Sequence, residues 1–194
     1  MNKAWTMVGA AALSVLCAGT VWTQPPESGS GGAASPAPRY TGSRYDTGEL
    51  EAGQWVGGGG VGLLGSTPDG TAFGINGSAD YIVDEHLSIG PLLQLGFTGD
   101  MALVGLSGQG KYRLPLPGTG GRGKLAFQSG LGLAHADFRG GDTSWLIPLG
   151  IGYEHTLESG TTLNATSVVN FTNLDTGAGS GADVMPGLML GVRF

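Results

Sequence analysis

From Ala52 to Phe194 the chain alternates bulky apolar residues with small or polar ones in short stretches, broken by clusters of Gly, Pro, Asp, Asn and Ser. No long helical periodicity interrupts the pattern, so the region reads as β-structure throughout. Eight segments stand out: Ala52–Leu64, Thr71–Val83, Leu87–Phe97, Met101–Leu114, Lys124–Phe138, Ser144–Thr156, Thr161–Thr172 and Asp183–Phe194. Several match the roughly 9 to 11 residues with which a tilted strand crosses a bilayer, and the others are slightly longer. The pattern predicts an all-β domain over residues 52–194, an eight-stranded antiparallel up-and-down transmembrane β-barrel.

The two faces of these segments differ in side-chain size. In the sixth, Trp145, Ile147, Leu149, Ile151 and Tyr153 share one face, while Leu146, Pro148, Gly150, Gly152 and Glu154 share the other. The fifth sets Leu125, Phe127, Leu131 and Leu133 against Ala126, Gln128, Gly130, Gly132 and Ala134, and the third and seventh repeat the division. Alternation alone does not say whether the bulky face points into a core or out into lipid. A soluble barrel fills its interior with bulky apolar groups and carries charge outside, yet only 12% of this chain is charged, against about 25% in soluble proteins. Small, neutral-polar residues suit the cramped lumen of a small membrane barrel, so the bulky face is placed outward, against lipid.

Aromatic positions provide an independent check, because Trp and Tyr favour membrane interfaces. With both termini on the periplasmic side, Trp55, Tyr81, Tyr112, Tyr153 and Phe194 fall at that end of their strands. Phe73, Phe97, Phe138, Trp145 and Phe171 fall near the outer end, which predicts two aromatic girdles. The same parity sends Asp80, Lys111, Arg113, Glu154 and Arg193 inward, all towards the periplasmic end. Charges in so narrow an interior are expected to pair across the lumen and plug it. The connections are short. Even the longest outer candidates, Arg139–Thr143 and Asn173–Ala182, are too small for a folded binding loop.

Upstream, Lys3 and the apolar run Met7–Gly19 read as a cleavable export signal over residues 1–23, because the run is shorter than the roughly 20 residues of a spanning helix. Residues 24–51 are rich in Pro, Gly, Ser and Ala, the composition of a flexible periplasmic spacer. Cys17 is the only cysteine and lies inside the signal, so the mature chain is expected to lack disulfides. Leu16 before it departs from the small residue of an acylation signal. The net charge of −6 offers no basic stripe to nucleic acid.

The final stretch Gly187-Leu188-Met189-Leu190-Gly191-Val192-Arg193-Phe194 ends an alternating strand on an aromatic residue. Together with Leu149-Gly150-Ile151-Gly152-Tyr153-Glu154 and the strand pattern from Gly53 onward, it resembles the small outer-membrane barrels of the OmpA-like and opacity-protein type. That resemblance implies outer-membrane lipids as surroundings and recognition of Phe194 by the barrel-assembly machinery. With the pattern ending at Phe194, anchoring to the cell wall through a peptidoglycan-binding half is not expected.

Some barrels of this kind modify lipid A, a chemistry that needs a nucleophile and a base together. His155 lies beside Glu154, but position 157 is Leu where a His-x-Ser pair would need serine, and Ser159 falls in a turn. His155 and His135 read as interfacial residues. His86, beside Asp84 and Glu85, reads as a solvated turn rather than a metal ligand. Gly57–Gly60 lacks the Lys-Ser/Thr of a phosphate loop and reads as a bend or a close backbone approach in the first strand. The sequence therefore points to a small structural or surface-interaction barrel without catalysis, metal or cofactor. A narrow pore for small or apolar solutes is the second reading, and a lipid A-modifying enzyme is the third.

Overall fold

The computed structural model describes residues 51–177 and 179–194. The export signal with Cys17, and the spacer apart from Glu51, lie outside the described residues. The rest forms eight strands: β1 (Trp55–Thr67), β2 (Gly70–Ile82), β3 (Leu87–Phe97), β4 (Ala102–Pro115), β5 (Gly123–Asp137), β6 (Asp142–Thr156), β7 (Thr162–Asp175) and β8 (Gly181–Arg193). Each pairs antiparallel with its neighbour in sequence, and β1 pairs with β8 to close the barrel. Closure leaves no free strand edge.

All eight expected segments are strands, with shifted ends. The first begins at Trp55 rather than Ala52 and continues past Leu64 to Thr67. Its register slips between Leu64 and Thr67, where Ser66 adopts a left-handed backbone (φ 53°). At the far end β6, β7 and β8 extend into the expected loops, leaving only 138–141 and 176–180 as connections. The run Gly57–Gly60 is not bent, since β1 pairs with β2 without interruption from Trp55 to Leu64. Close approach is the reason for glycine here. A Cβ on Gly60 would meet Leu190 O of β8 at 2.6 Å, and one on Gly62 would meet Leu188 O at 1.9 Å.

At the end of the barrel where its own termini lie, the start of β1 and the end of β8, the connections are built by local hydrogen bonds. Asp84 Oδ1 accepts the backbone N–H groups of His86 (2.8 Å) and Leu87 (2.7 Å), tying the β2–β3 turn. Those two donors hold its carboxyl pKa below the ordinary aspartate value, the His86 N–H contributing most. The longer β4–β5 connection turns through Gly118, Gly120 and Gly121, all in the left-handed region. Thr119 closes it, its hydroxyl donating to Leu116 O at 2.7 Å and accepting from the Gly123 N–H at 3.1 Å.

The bulky set faces outward, as side-chain size implied. Leu131 is 72% exposed and Leu133 62%, while Ala134, Ala136 and Leu146 on the opposite face are buried. The interior is divided along its axis. The half far from the termini is a packed apolar core of Leu64, Met101, Leu103, Leu146, Met185 and their neighbours. Phe138 belongs to this core and not to the outer girdle expected of it: it is buried, with the Arg139 guanidinium 5.1 Å above its ring. Its even number continues the inward parity of β5 one residue past the strand's end. The half near the termini is polar and charged.

Candidate functional site: the lumen and the outer belt

Five of the inward charges come from alternate strands. Asp80 comes from β2, Lys111 and Arg113 from β4, Glu154 from β6 and Arg193 from β8. Lys111 Nζ lies 2.7 Å from Asp80 Oδ2, and Arg113 Nη2 lies 3.7 Å from the same oxygen. Arg113 Nε reaches Glu154 Oε2 at 3.0 Å, and Arg193 Nη1 reaches that oxygen at 2.8 Å. One chain of ion pairs thus runs from β2 to β8, with Arg113, fully buried, at its centre.

Hydroxyls and an amide complete the layer. Arg113 Nη1 donates to Ser88 Oγ at 2.8 Å, Arg193 Nη2 to Thr162 Oγ1 at 3.3 Å, Lys111 Nζ to Ser78 Oγ at 3.3 Å and Gln109 Nε2 to Asp80 Oδ1 at 3.3 Å. Strand β1 contributes space instead. Gly58 stands opposite Arg193 in the ladder, and a Cβ there would lie 3.6 Å from the Arg193 Cβ. Lys124 is the inward charge that sequence reasoning missed. It is buried and stands opposite Glu154 in the β5–β6 ladder, on the same face as Ala126 and Gln128. Parity was signal enough, but the residue opens its segment, where alternation has only begun.

Above the ion pairs lies a cavity of about 50 Å³ lined by Ser78, Gln94, Gln128 and Thr166 together with Asp80, Lys111, Glu154 and Arg193, and bounded on the far side by Leu92, Val168 and Met189. On the measure by which one water needs about 10–15 Å³, this holds roughly three to five.

The outer surface has the opposite chemistry. Among the described residues, the outward positions between the two aromatic bands carry no charged side chain. Trp55, Tyr81, Tyr112, Tyr153 and Phe194 are exposed at the end of the termini, the first two with ring centroids 5.5 Å apart. Phe73 and Phe97 stand opposite each other near the far end, with Trp145 exposed and Phe171 half-buried at similar height.

The histidines sit on this outer surface or in turns. The hydroxyl of Tyr153 and His155 Nδ1 are 3.2 Å apart, whereas Glu154 points to the other face of β6 and into the lumen. The adjacent His and Glu therefore do not form one site. His86 stacks on Tyr112, with centroids 5.9 Å apart, and its Nδ1 is 3.4 Å from Glu85. His135 Nδ1 lies 2.8 Å from Thr143 Oγ1.

A closed eight-stranded up-and-down barrel, apolar outside and ionic within, has the architecture of the small outer-membrane barrels. Neisserial surface protein A (NspA) has this fold, with 17% identity and a TM-score of 0.57 over 72% of this chain and 94% of that one. Two further structures align over most of the barrel. The N-terminal β-barrel domain of Pseudomonas aeruginosa OprF is 16% identical over 74% of this chain and 100% of its own, with a TM-score of 0.49. The outer membrane enzyme PagL is 12% identical over 73% and 99%, with a TM-score of 0.47. No protein-family model matches the chain, and no curated protein matches it by sequence.

Proposed function

We propose that the protein is a non-catalytic barrel integral to the bacterial outer membrane, with both termini in the periplasm and a structural or surface-interaction role. The observation that carries this reading is the inversion of polarity: an uncharged apolar belt outside and six buried or nearly buried charged side chains inside. A soluble protein with this exterior would expose a contiguous apolar surface far larger than the few hundred Å² that soluble monomers tolerate. Lipid is the solvent that such a surface matches.

Phe194 is proposed as the mark read by the barrel-assembly machinery. Its backbone completes the seam, with Phe194 N donating to Gly57 O at 3.0 Å and Gly57 N to Phe194 O at 3.1 Å, while the residue as a whole remains 72% exposed. The polar cavity favours a second reading, a narrow pore. The packed core of Leu64, Leu103, Leu146, Met185 and Met189 across the far half of the lumen opposes it. The enzyme reading has the least support, because Glu154 and His155 face opposite sides of the sheet.

The test is expression of the full chain in a Gram-negative host, followed by membrane fractionation and electrophoresis with and without boiling. Recovery in the outer membrane as a heat-modifiable band, and loss of yield on deleting Phe194, are the expected results. A soluble periplasmic product would overturn the membrane assignment, and undiminished yield of the deletion would remove the role of Phe194. Planar-bilayer recordings of the parent protein distinguish the first two readings: a closed lumen gives no steady conductance, and a pore does.

A further inference from the structure

Two glycines of the outer wall have no explanation within the barrel. Gly108 and Gly110 lie inside β4 on its outer face, neither has a positive φ, and a Cβ on either would meet open space. Elsewhere glycine sits where strands crowd, as at Gly60, Gly62 and Gly90. An interior glycine weakens a strand, and where no bulge or internal crowding accounts for it, the remaining cause is another molecule that comes close to the backbone. The two glycines floor an open, apolar trough of about 660 Å³. Register places Trp55, Tyr81, Ile89 and Gly110 opposite one another in successive ladders, one row across β1 to β4. In the next row Pro91 stands opposite Gly108. The Trp55 and Tyr81 rings rise as one wall, and Leu131, opposite Gly108 on β5, as the other.

The trough opens towards the end of the termini, and that mouth is acidic. The turn joining Tyr81's strand to Ile89's carries Asp84 and Glu85, and His86 beside them stacks on Tyr112, the next outward residue of β4 after Gly110. From residue 51 to 115 the cations are Lys111 and Arg113, and both point into the lumen. The mouth therefore attracts a cationic headgroup and repels an anionic one. We propose that the trough holds one acyl chain of a phospholipid whose headgroup carries a primary ammonium, as phosphatidylethanolamine does, with the ammonium against Glu85 and Asp84. The proposal deepens the outer-membrane reading and rests on it. A volume of about 660 Å³ lies within the roughly 300–1,000 Å³ of small-molecule sites, and an apolar, open lining suits a flexible chain. A second barrel fits less well. Its wall is convex, and Leu106 and Leu131, 59% and 72% exposed, would meet it before the floor did.

The full chain carrying Trp5→Phe, Trp22→Phe and Trp145→Phe, with Trp55 as its one emitter, is refolded into phosphatidylcholine vesicles. A companion chain carries Trp55→Phe instead of Trp145→Phe and reports insertion at the far end. Each vesicle set contains a small fraction of lipid brominated on its acyl chains, with either an ethanolamine or a glycerol headgroup, and bromine quenches tryptophan on contact. Trp55 should be quenched about threefold to fivefold more by the ethanolamine lipid than by the phosphatidylglycerol, the range that one exposed ion pair supports. Glu85→Gln should bring the two lipids together while quenching persists. Gly108→Leu, which fills the floor, should lower the quenching of Trp55 by both, and Gly110→Val serves if that variant does not refold. Equal quenching by the two lipids in the parent, or no loss on filling the floor, would overturn the proposal. Cross-linked pairs of the parent that vanish in Gly108→Leu would assign the trough to a second copy and overturn it too. In all these outcomes Trp145 is quenched and the membrane reading stands, whereas silence of both tryptophans would remove that reading and the proposal with it.

Discussion

Leu149 stands in the middle of β6 with its side chain on the outer face, between Ile147 and Ile151. An arginine there must thin the bilayer or snorkel to an interface, at a cost of about 2–4 kcal/mol near the midplane. Leu149→Arg should lower the stability of the refolded protein in lipid vesicles by that amount in reversible urea titrations, and unchanged stability would mean that the residue does not face lipid. Asp84 belongs to the water at the end of the termini. Its carboxyl pKa is depressed by the N–H groups of His86 and Leu87, so the turn's contribution is complete above the ordinary carboxylate pKa and fades as pH falls through the lowered value. Asp84→Asn should flatten the acid limb of the stability–pH curve, as read from urea midpoints between neutral pH and about pH 3. Single residues also mark where the sequence was and was not legible. The inward charges Asp80, Lys111, Arg113, Glu154 and Arg193 follow from parity alone. Phe138 follows the same rule and points in, against its expected place in a girdle, because parity and not height along a strand decides which face a side chain takes.

Strands were legible because lipid and lumen impose opposite demands on alternate residues, and that demand is written into side-chain size. Their ends were not. The slip between Leu64 and Thr67 depends on Ser66 adopting a left-handed backbone, and serine gives no signal for that. The extension of β6, β7 and β8 through Asp142, Asp175 and Gly181 was hidden because Asp, Gly and Thr resemble loop composition even where they pair in a ladder. The seam between β1 and β8 depends on glycine. A Cβ at Gly62 would lie 1.9 Å from Leu188 O, so Gly62→Val should force the seam apart and abolish the heat-modifiable folded band. Gly108, on the outer face of β4, has open space around it, and Gly108→Ala should leave the band intact. If both variants fold alike, the two strands have more freedom than their register implies.

The molecule as a whole is held by two unlike fillings, an apolar core in one half of the lumen and an ionic layer in the other. The sequence made the ionic half legible, since charged residues are few and their parity is plain. It obscured the apolar half, because Met101, Leu103, Leu146 and Met185 do not differ in type from the residues that face lipid. The ionic half acts as a unit. Glu154 is the one acceptor common to Arg113 and Arg193, so Glu154→Gln leaves two buried guanidinium groups with poor partners and should cost about 3–5 kcal/mol. Arg193→Gln should cost less, since Glu154 keeps Arg113 at 3.0 Å. Urea midpoints for the single and double variants test the coupling, and additive losses would show that the two residues act independently.

All of this rests on which face of the barrel meets lipid. The direct measurement is a spin-label scan, one cysteine at a time from Trp145 to Glu154 on a background without Cys17, with the protein refolded in lipid vesicles. Trp145, Ile147, Leu149, Ile151 and Tyr153 should show high collision rates with oxygen, which concentrates in lipid, and Leu146, Pro148, Gly150, Gly152 and Glu154 low ones. Oxygen accessibility on the even positions, or contact of the odd positions with a water-soluble nickel chelate along the whole strand, would contradict a barrel that turns its bulky face to the membrane.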